Sequence, residues 1–200
     1  MPTVAQIVER AEDSLQLHTL EKPGRNKGSR GQCVEKELGL ENTNSLTDCA
    51  DGDVKSFTLG QTIFITQLGH TLEEIIEGGV SFGMSKLGTK IANCCYIGYG
   101  KDGVLKGKYH ISSTTHPEHY KQLEEDYNFI CTKIKETYSE GGELKTTNGP
   151  NRLLQIRTKA SKNKHGLYTP LEYKGKQLKN KYMAFYICST FGKHLVSQSC

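Results

Sequence analysis

"DGDVKSFTLGQTIFITQ", residues 51–67, decides what kind of fold this chain can make. Two β-rich runs, VKSFTL and QTIFITQ, flank Gly60, and the pattern predicts two strands joined there as a hairpin. Acid leads into the stretch: Asp48, Asp51 and Asp53 fall within six positions, and Lys55 follows two residues later. Alternation along a strand puts Asp53 and Lys55 on one face and sends Val54 to the other, toward a core. Acids this crowded repel one another and are stabilised by open solvent or by a bound cation. An Asp- and Gly-containing stretch is ordinarily a solvated turn. The rest of the chain has to decide between the two.

Outward from this stretch the elements alternate. Upstream, Thr3 is placed to cap a helix with Val4, Ile7, Val8, Ala11 and Leu15 on one face. A basic loop comes next, and then GQCVEKELG (31–39) reads as a helix burying Val34 and Leu38 and stopping at Gly39. Downstream, TLEE (71–74) has the form of a capping box, and Gly78–Gly79 ends its helix. SKLGTKIAN (85–93) predicts a short helix, with Lys86 and Lys90 on one face, before the apolar strand CCYIGY (94–99). A hairpin is expected around Asp102–Gly103. Residues 117–138 give the longest helix, with a core stripe of Tyr120, Leu123, Tyr127, Ile130, Ile134 and Tyr138. RLLQIRTKA (152–160) and YMAFYICS (182–189) read as strands on either side of a lysine-rich loop, 161–181. The class is α+β, a mixed-sheet α/β domain, in a single unit of 200 residues.

Composition narrows the function. Apolar content of 35% and charged content of 24% suit a soluble globular chain. No apolar run is long enough to span a bilayer, and MPTVAQIVERAEDS reads as an amphipathic helix and not as a signal peptide, so a cytoplasmic protein without membrane partners is expected. Seven cysteines without a C-x-x-C pair imply reduced thiols, mostly buried. His116-Pro-Glu-His119 lacks the second ligand pair that zinc requires. Gly98-x-Gly100-x-x-Gly103 matches a dinucleotide fingerprint, but the next residues, VLKGKYHI, are strand-like, and a hairpin turn explains the glycines better than a nucleotide cofactor. Charge is divided unevenly. Residues 144–181 hold ten Lys or Arg against one acid, Glu172, whereas the remainder holds sixteen basic against twenty-one acidic residues. A basic flank beside an acidic pocket suits a phosphodiester: cations hold the backbone, and carboxylates hold a metal.

Phosphodiester hydrolysis needs a nucleophilic water, counter-charge for the pentacovalent transition state and help for the leaving oxygen. Mg²⁺ held by carboxylates supplies much of this. A neighbouring lysine can orient the water or stabilise the added charge. An acid, a short gap and then acid-x-Lys on a strand therefore have a mechanical logic.

The residues around that logic resemble a known group. Lys27, Gly28, Gly31, Glu35, Leu38 and Gly39 match the Lys-Gly-x-x-Gly-x-x-x-Glu-x-x-Leu-Gly signature of the MutH-like endonucleases, which comprise mismatch-repair nicking enzymes and type II restriction enzymes that cut GATC. SKLGTKIANCCYIGY resembles that family's later lysine-bearing segment, LLQIRTKASKNK its Leu-Gln-Ile-Arg-Pro-Lys-Ala segment with Thr158 in place of proline, and AFYICSTFGKHLV its closing strand and helix. The match runs in order from about residue 22 to 197. It implies a restriction-endonuclease-like mixed β-sheet flanked by helices with a DNA-binding cleft, a catalytic part at about 22–115 and a DNA-reading part at about 144–197. It further implies a Mg²⁺-dependent endodeoxyribonuclease, with Asp48 and Asp53 as metal ligands, Glu35 beside them, Lys55 orienting the attacking water and Lys90 supporting the scissile phosphate. Lys27, Arg157, Lys159 and Tyr186 would contact double-stranded DNA, Tyr186 at the position that senses adenine methylation. Two features depart from the family pattern. Asp48 and Asp53 lie two residues closer than usual, and Asp53 replaces the more usual Glu. Either Asp48 or Asp51 could then be the first ligand, with Asp48 preferred. Type II restriction by a protein that pairs on a palindromic site is expected ahead of a nicking enzyme dependent on a mismatch-repair ATPase. A catalytically silent DNA-binding module is the rival from another class.

Overall fold

The structure is a computed structural model and describes residues 1–15, 29–40, 45–159 and 162–197. Among them are six α-helices: α1 (Val4–Leu15), α2 (Ser29–Glu37), α3 (Leu72–Glu77), α4 (Lys86–Ile91), α5 (Pro117–Glu140) and α6 (Ser189–Ser197). The strands are β1 (Asp53–Thr58), β2 (Ile63–Gln67), β3 (Asn93–Tyr99), β4 (Leu105–Ser112), β5 (Thr147–Asn148), β6 (Leu154–Thr158), β7 (Leu171–Tyr173), β8 (Lys176–Lys179) and β9 (Met183–Ile187). The protein is thus mixed α and β with several sheets, the α+β class expected. It forms two compact units, one of Met1–Ile63, Thr89–Pro117 and Ser189–Cys200, the other of Phe64–Gly88 and Glu118–Cys188. No helix among the described residues is long and apolar enough to cross a membrane.

The first unit is built on a three-stranded sheet in the order β1-β3-β4. β3 is buried from Cys94 to Tyr99, and it takes β1 as a parallel neighbour, with Asp53 opposite Cys94 and Thr58 opposite Tyr99. β4 returns antiparallel through the turn at Asp102–Gly103, where Asp102 Oδ1 accepts the Val104 N–H and Gly103 takes φ +85°. Gly100 and Gly103 therefore serve a hairpin turn, as expected, while Gly98 lies within β3. Val4, Ile7 and Ala11 of α1 and Val34 and Leu38 at α2 pack with Val54, Cys95 and Ile97 into one core. Each aliphatic side chain of this size contributes about 1.5–3 kcal/mol by leaving water. Thr3 caps α1 as predicted: its Oγ1 accepts the Gln6 N–H, and Gln6 Oε1 accepts the Thr3 N–H in return. Gly39, at φ +69°, closes α2.

The second unit carries a four-stranded sheet, β2-β9-β6-β5, and a two-stranded one, β7-β8. α5 buries Leu123, Tyr127, Ile130 and Ile134 as predicted, while Tyr120 and Tyr138 are only half-buried. The same stripe holds Asp126, which is fully buried. Its carboxylate accepts N–H groups from Asn151 (2.7 Å), Leu153 (2.8 Å) and Leu154 (2.8 Å), and so anchors the start of β6. A Cβ at Gly149 would run into this carboxyl group, so glycine is required there.

Three sequence expectations are corrected. The hairpin at Gly60 does not form: β1 pairs with β3 and β2 joins β9 in another sheet, although Gly60 does take φ +79°. Thr71 makes no capping bond forward into α3; its hydroxyl donates back to the Leu68 carbonyl at the end of the 3₁₀ turn Leu68–His70. The lysine-rich segment is not a plain loop, since β7 and β8 form a hairpin turning on Lys174 and Gly175, both at positive φ. The six cysteines among the described residues are free thiols, four of them buried.

Candidate active site

The acidic turn is shaped by its neighbours in the first unit. A Cβ at Gly52 would meet the Asn93 carbonyl, so only glycine lets the turn approach the start of β3 this closely. Cys49 N–H donates to the Gly52 carbonyl and Ala50 N–H to that of Pro2. Asp51 is turned away to the N-terminus of α1, where its Oδ1 accepts the Val4 N–H at 2.7 Å. Of the two candidates for first ligand, only Asp48 faces Asp53 and Lys55.

Asp53 and Lys55 share one face of β1, as alternation predicts, and Val54 lies in the core. Asp53 is fully buried; its Oδ1 accepts the Asp48 N–H at 3.2 Å. Asp48 Oδ2 accepts the Val54 N–H and a proton of Lys55, both at 3.3 Å. Lys55 Nζ also donates to the Val54 carbonyl at 3.1 Å and lies 2.6 Å from Asp53 Oδ2. That oxygen is nonetheless buried without an aligned hydrogen bond, so charge alone pairs it. Lys90, on α4, brings a second ammonium to 3.6 Å from the same oxygen and donates to the Leu46 carbonyl. α4 is started by Ser85, whose Oγ accepts the Gly88 N–H. Glu35 on α2 is half-buried and close enough to feel the charges of both Asp48 and Lys55. Gly31, one turn earlier, faces Ser56 on β1, where a Cβ would lie 3.5 Å from the Ser56 hydroxyl, an ordinary contact. Glu35, Asp48, Asp53, Lys55 and Lys90 are thus brought together from four elements far apart in sequence.

The electrostatics are those of a crowded anionic pocket. Burial raises the Asp53 carboxyl to about 6; Lys55 opposes that, and the hydrogen bond and charge of Asp48 add to it. Asp48 is also pushed up by burial, but its hydrogen bond with Asp53 and the charge of Lys55 outweigh this and leave it below the ordinary value. The pair therefore shares a proton into the mildly acidic range. Burial works against the Lys55 ammonium, yet Asp53 and Asp48 more than compensate and hold it protonated. Burial first, then the charge of Asp48, raises Glu35. Cys49 is lifted to about 11 by burial and by the three aspartates. Two carboxylate oxygens converging on one ammonium define a place that prefers a cation. No group of three or more His, Cys, Asp or Glu assembles into a metal-ligand set among the described residues, and the residues of His116-Pro-Glu-His119 form none. Two carboxylates do suit Mg²⁺, which is commonly held by one or two of them together with water and substrate phosphate.

The other predicted contacts lie in the second unit. β6 and β9 pair antiparallel with Gln155 opposite Tyr186 and Arg157 opposite Ala184. Arg157 lies over the Tyr186 ring at 5.6 Å, Tyr186 meets Phe64 edge-on at 5.7 Å, and Lys159 Nζ lies over the Phe64 ring at 4.1 Å. Partial burial lowers the Lys159 ammonium and raises the Tyr186 phenol, the latter against the charge of Arg157. Phe64 is the member that sequence reading missed. Its signal was there, since alternation along β2 buries Ile63 and Ile65 and turns Phe64 outward, 38% exposed. Such a row of cations and half-exposed rings can stack on bases and bind phosphate. Lys27 lies outside the described residues. No family model matches the chain, and no curated protein matches it.

Proposed function

We propose that this protein is a Mg²⁺-dependent, sequence-specific endodeoxyribonuclease with a restriction-endonuclease-like fold, of the MutH-like group its sequence resembles, acting in type II restriction at GATC. The observation that carries the reading is the buried Asp53 carboxylate, paired by charge with Lys55 and Lys90 and facing Asp48. Burying an acid against its own solvation, with Oδ2 lacking an aligned donor, is costly and suits a cation-binding site. Asp48 and Asp53 would hold the metal, which when bound supplies Lewis-acid charge and a more acidic water. Lys55, kept protonated by its two carboxylates, orients the attacking water as a donor and does not remove its proton. Lys90 supports the scissile phosphate. Glu35, with its proton held more tightly than usual, would take part in the proton traffic around Asp48. Arg157, Lys159, Tyr186 and Phe64 would face the bases, Arg and Lys in the way that commonly selects guanine.

Plasmid DNA, unmethylated or adenine-methylated at GATC, is incubated with the protein and Mg²⁺ beside Lys55→Ala. Discrete fragments from one plasmid type, absent with the variant, are expected. Uncut plasmid that the protein nevertheless retards on a gel would assign it to DNA binding without catalysis, and nicks without fragments would assign it to strand nicking.

A further inference from the structure

The lysines of the basic segment divide into two groups by what they touch. Lys174 lies 2.8 Å from Glu77 and Lys179 2.6 Å from Glu143. Lys176 donates to the Tyr138 and Ser139 carbonyls and lies over the Tyr138 ring. These three cations of the β7–β8 hairpin are used within the protein. Lys162, Lys164 and Lys181 form no ion pair with a carboxylate among the described residues. Lys162 and Lys181 instead gather over one ring, that of Tyr168, at 5.6 and 4.3 Å.

Two ammoniums at one ring repel each other, and the ring returns only about 0.5–1 kcal/mol to each at a surface site. An anion that approaches both relieves that repulsion. The turn presenting them is built for rigidity. Asn163 Oδ1 accepts the N–H groups of His165 (2.9 Å) and Leu167 (3.0 Å), Asn163 N–H donates to the Leu167 carbonyl (2.7 Å), and Gly166 takes φ +76°. Lys162 and Tyr168 pair across its base as a β-bridge. Lys159 N–H donates to the Tyr182 carbonyl and Tyr182 N–H to that of Thr169, so the turn is tied to the end of β6 beside Arg157 and Lys159.

We propose that this turn, residues 162–168 with Lys181, is a dedicated phosphate-gripping surface for duplex DNA, and that Lys174, Lys176 and Lys179 of the same basic run take no part. The inference rests on the proposed DNA-cutting function and deepens it. A phospholipid headgroup offers the same anion, but the turn exposes only Leu167 and the edge of Tyr168 as apolar surface, and it continues the strip of Arg157, Tyr186, Phe64 and Lys159, which suits bases.

The test is fluorescence anisotropy of the full chain on a labelled GATC duplex in EDTA across a salt series, so that binding is read without cleavage. Each phosphate contact contributes about 0.9 to the slope of log affinity against log salt. The Lys162→Ala/Lys181→Ala double variant is expected to lower the slope by about 2. Lys174→Ala/Lys179→Ala should keep the wild-type slope. Tyr168→Ala should follow the first pair in direction, and Tyr168→Phe, which keeps the ring, should not. Equal slopes for both double variants, with wild-type binding intact, would overturn this inference alone. Loss of binding to phosphatidylserine vesicles as the main effect of the first pair would likewise overturn this inference alone, whereas a wild-type protein that ignores DNA would overturn the proposed function with it.

Discussion

Asp53 is the residue on which stability and the proposed chemistry pull in opposite directions. Its carboxyl is raised to about 6, chiefly by burial, and that value already includes the pull of Lys55 and Lys90. A raised acid contributes stability that is fully present below its unfolded value, and this is lost as pH rises through about 6. The shift corresponds to about 3 kcal/mol in the metal-free protein. Asp48, lowered, acts in the opposite sense: its contribution is present above the ordinary carboxylate value and falls away as pH drops through its own. Between the ordinary carboxylate value and about 6, Asp53 therefore sets the slope. Asp53→Asn should accordingly raise metal-free stability at pH 7.5 by about 1–3 kcal/mol and flatten the slope below pH 6, in urea melts at both pH values. A variant less stable than wild type at pH 7.5 would mean that the carboxylate is well satisfied without metal. Under the proposed function Mg²⁺ needs both acids ionised, so its binding should expel a proton below about pH 6 and weaken about tenfold per pH unit there. Calorimetry in buffers of different ionisation enthalpy reads that proton directly; no release would show that the pair holds none.

At the scale of elements, β6 depends on α5 through Asp126. Removing that carboxylate strands three N–H groups, two of them at the entry to β6, each worth about 1–3 kcal/mol when buried and unpaired. Asp126→Ala should therefore cost about 3 kcal/mol or more in denaturant unfolding; a loss under 1 kcal/mol would mean that water replaces the acid. Sequence periodicity could not have shown this, because Asp126 sits inside an apolar stripe that reads as an ordinary core face. The same limit explains Gly60. Period-2 patterning identifies β1 and β2 as strands and the glycine as a turn, but it is silent on partners. The parallel pairing of Asp53–Thr58 with Cys94–Tyr99 spans some forty residues and is decided by the burial of β3. Helices with local signals, such as Thr3 and Gln6 at α1 or Gly39 after α2, were legible because their determinants lie within one turn.

Over the whole molecule the two kinds of charge are separated between the two units. The acid–lysine cluster belongs to the first, and the row of Arg157, Tyr186, Phe64 and Lys159 to the second. Asp48, Asp53 and Lys55 were legible because they are adjacent in sequence, whereas the approach of Glu35 and Lys90 was implied only by the family resemblance. The partition of the basic segment into tied and untied lysines depends on Glu77 and Glu143, contacts that no local pattern contains. The proposed function requires that the buried acid–lysine cluster cut DNA with the help of a divalent metal. The direct measurement is single-turnover cleavage of an end-labelled GATC duplex by wild type and Lys55→Ala, in Mg²⁺ and in EDTA, with binding followed in parallel. The prediction is cleavage by wild type in Mg²⁺ alone, and a loss of at least about a hundredfold in the variant with DNA binding kept. Cleavage that persists in EDTA, or that survives Lys55→Ala undiminished, would contradict it.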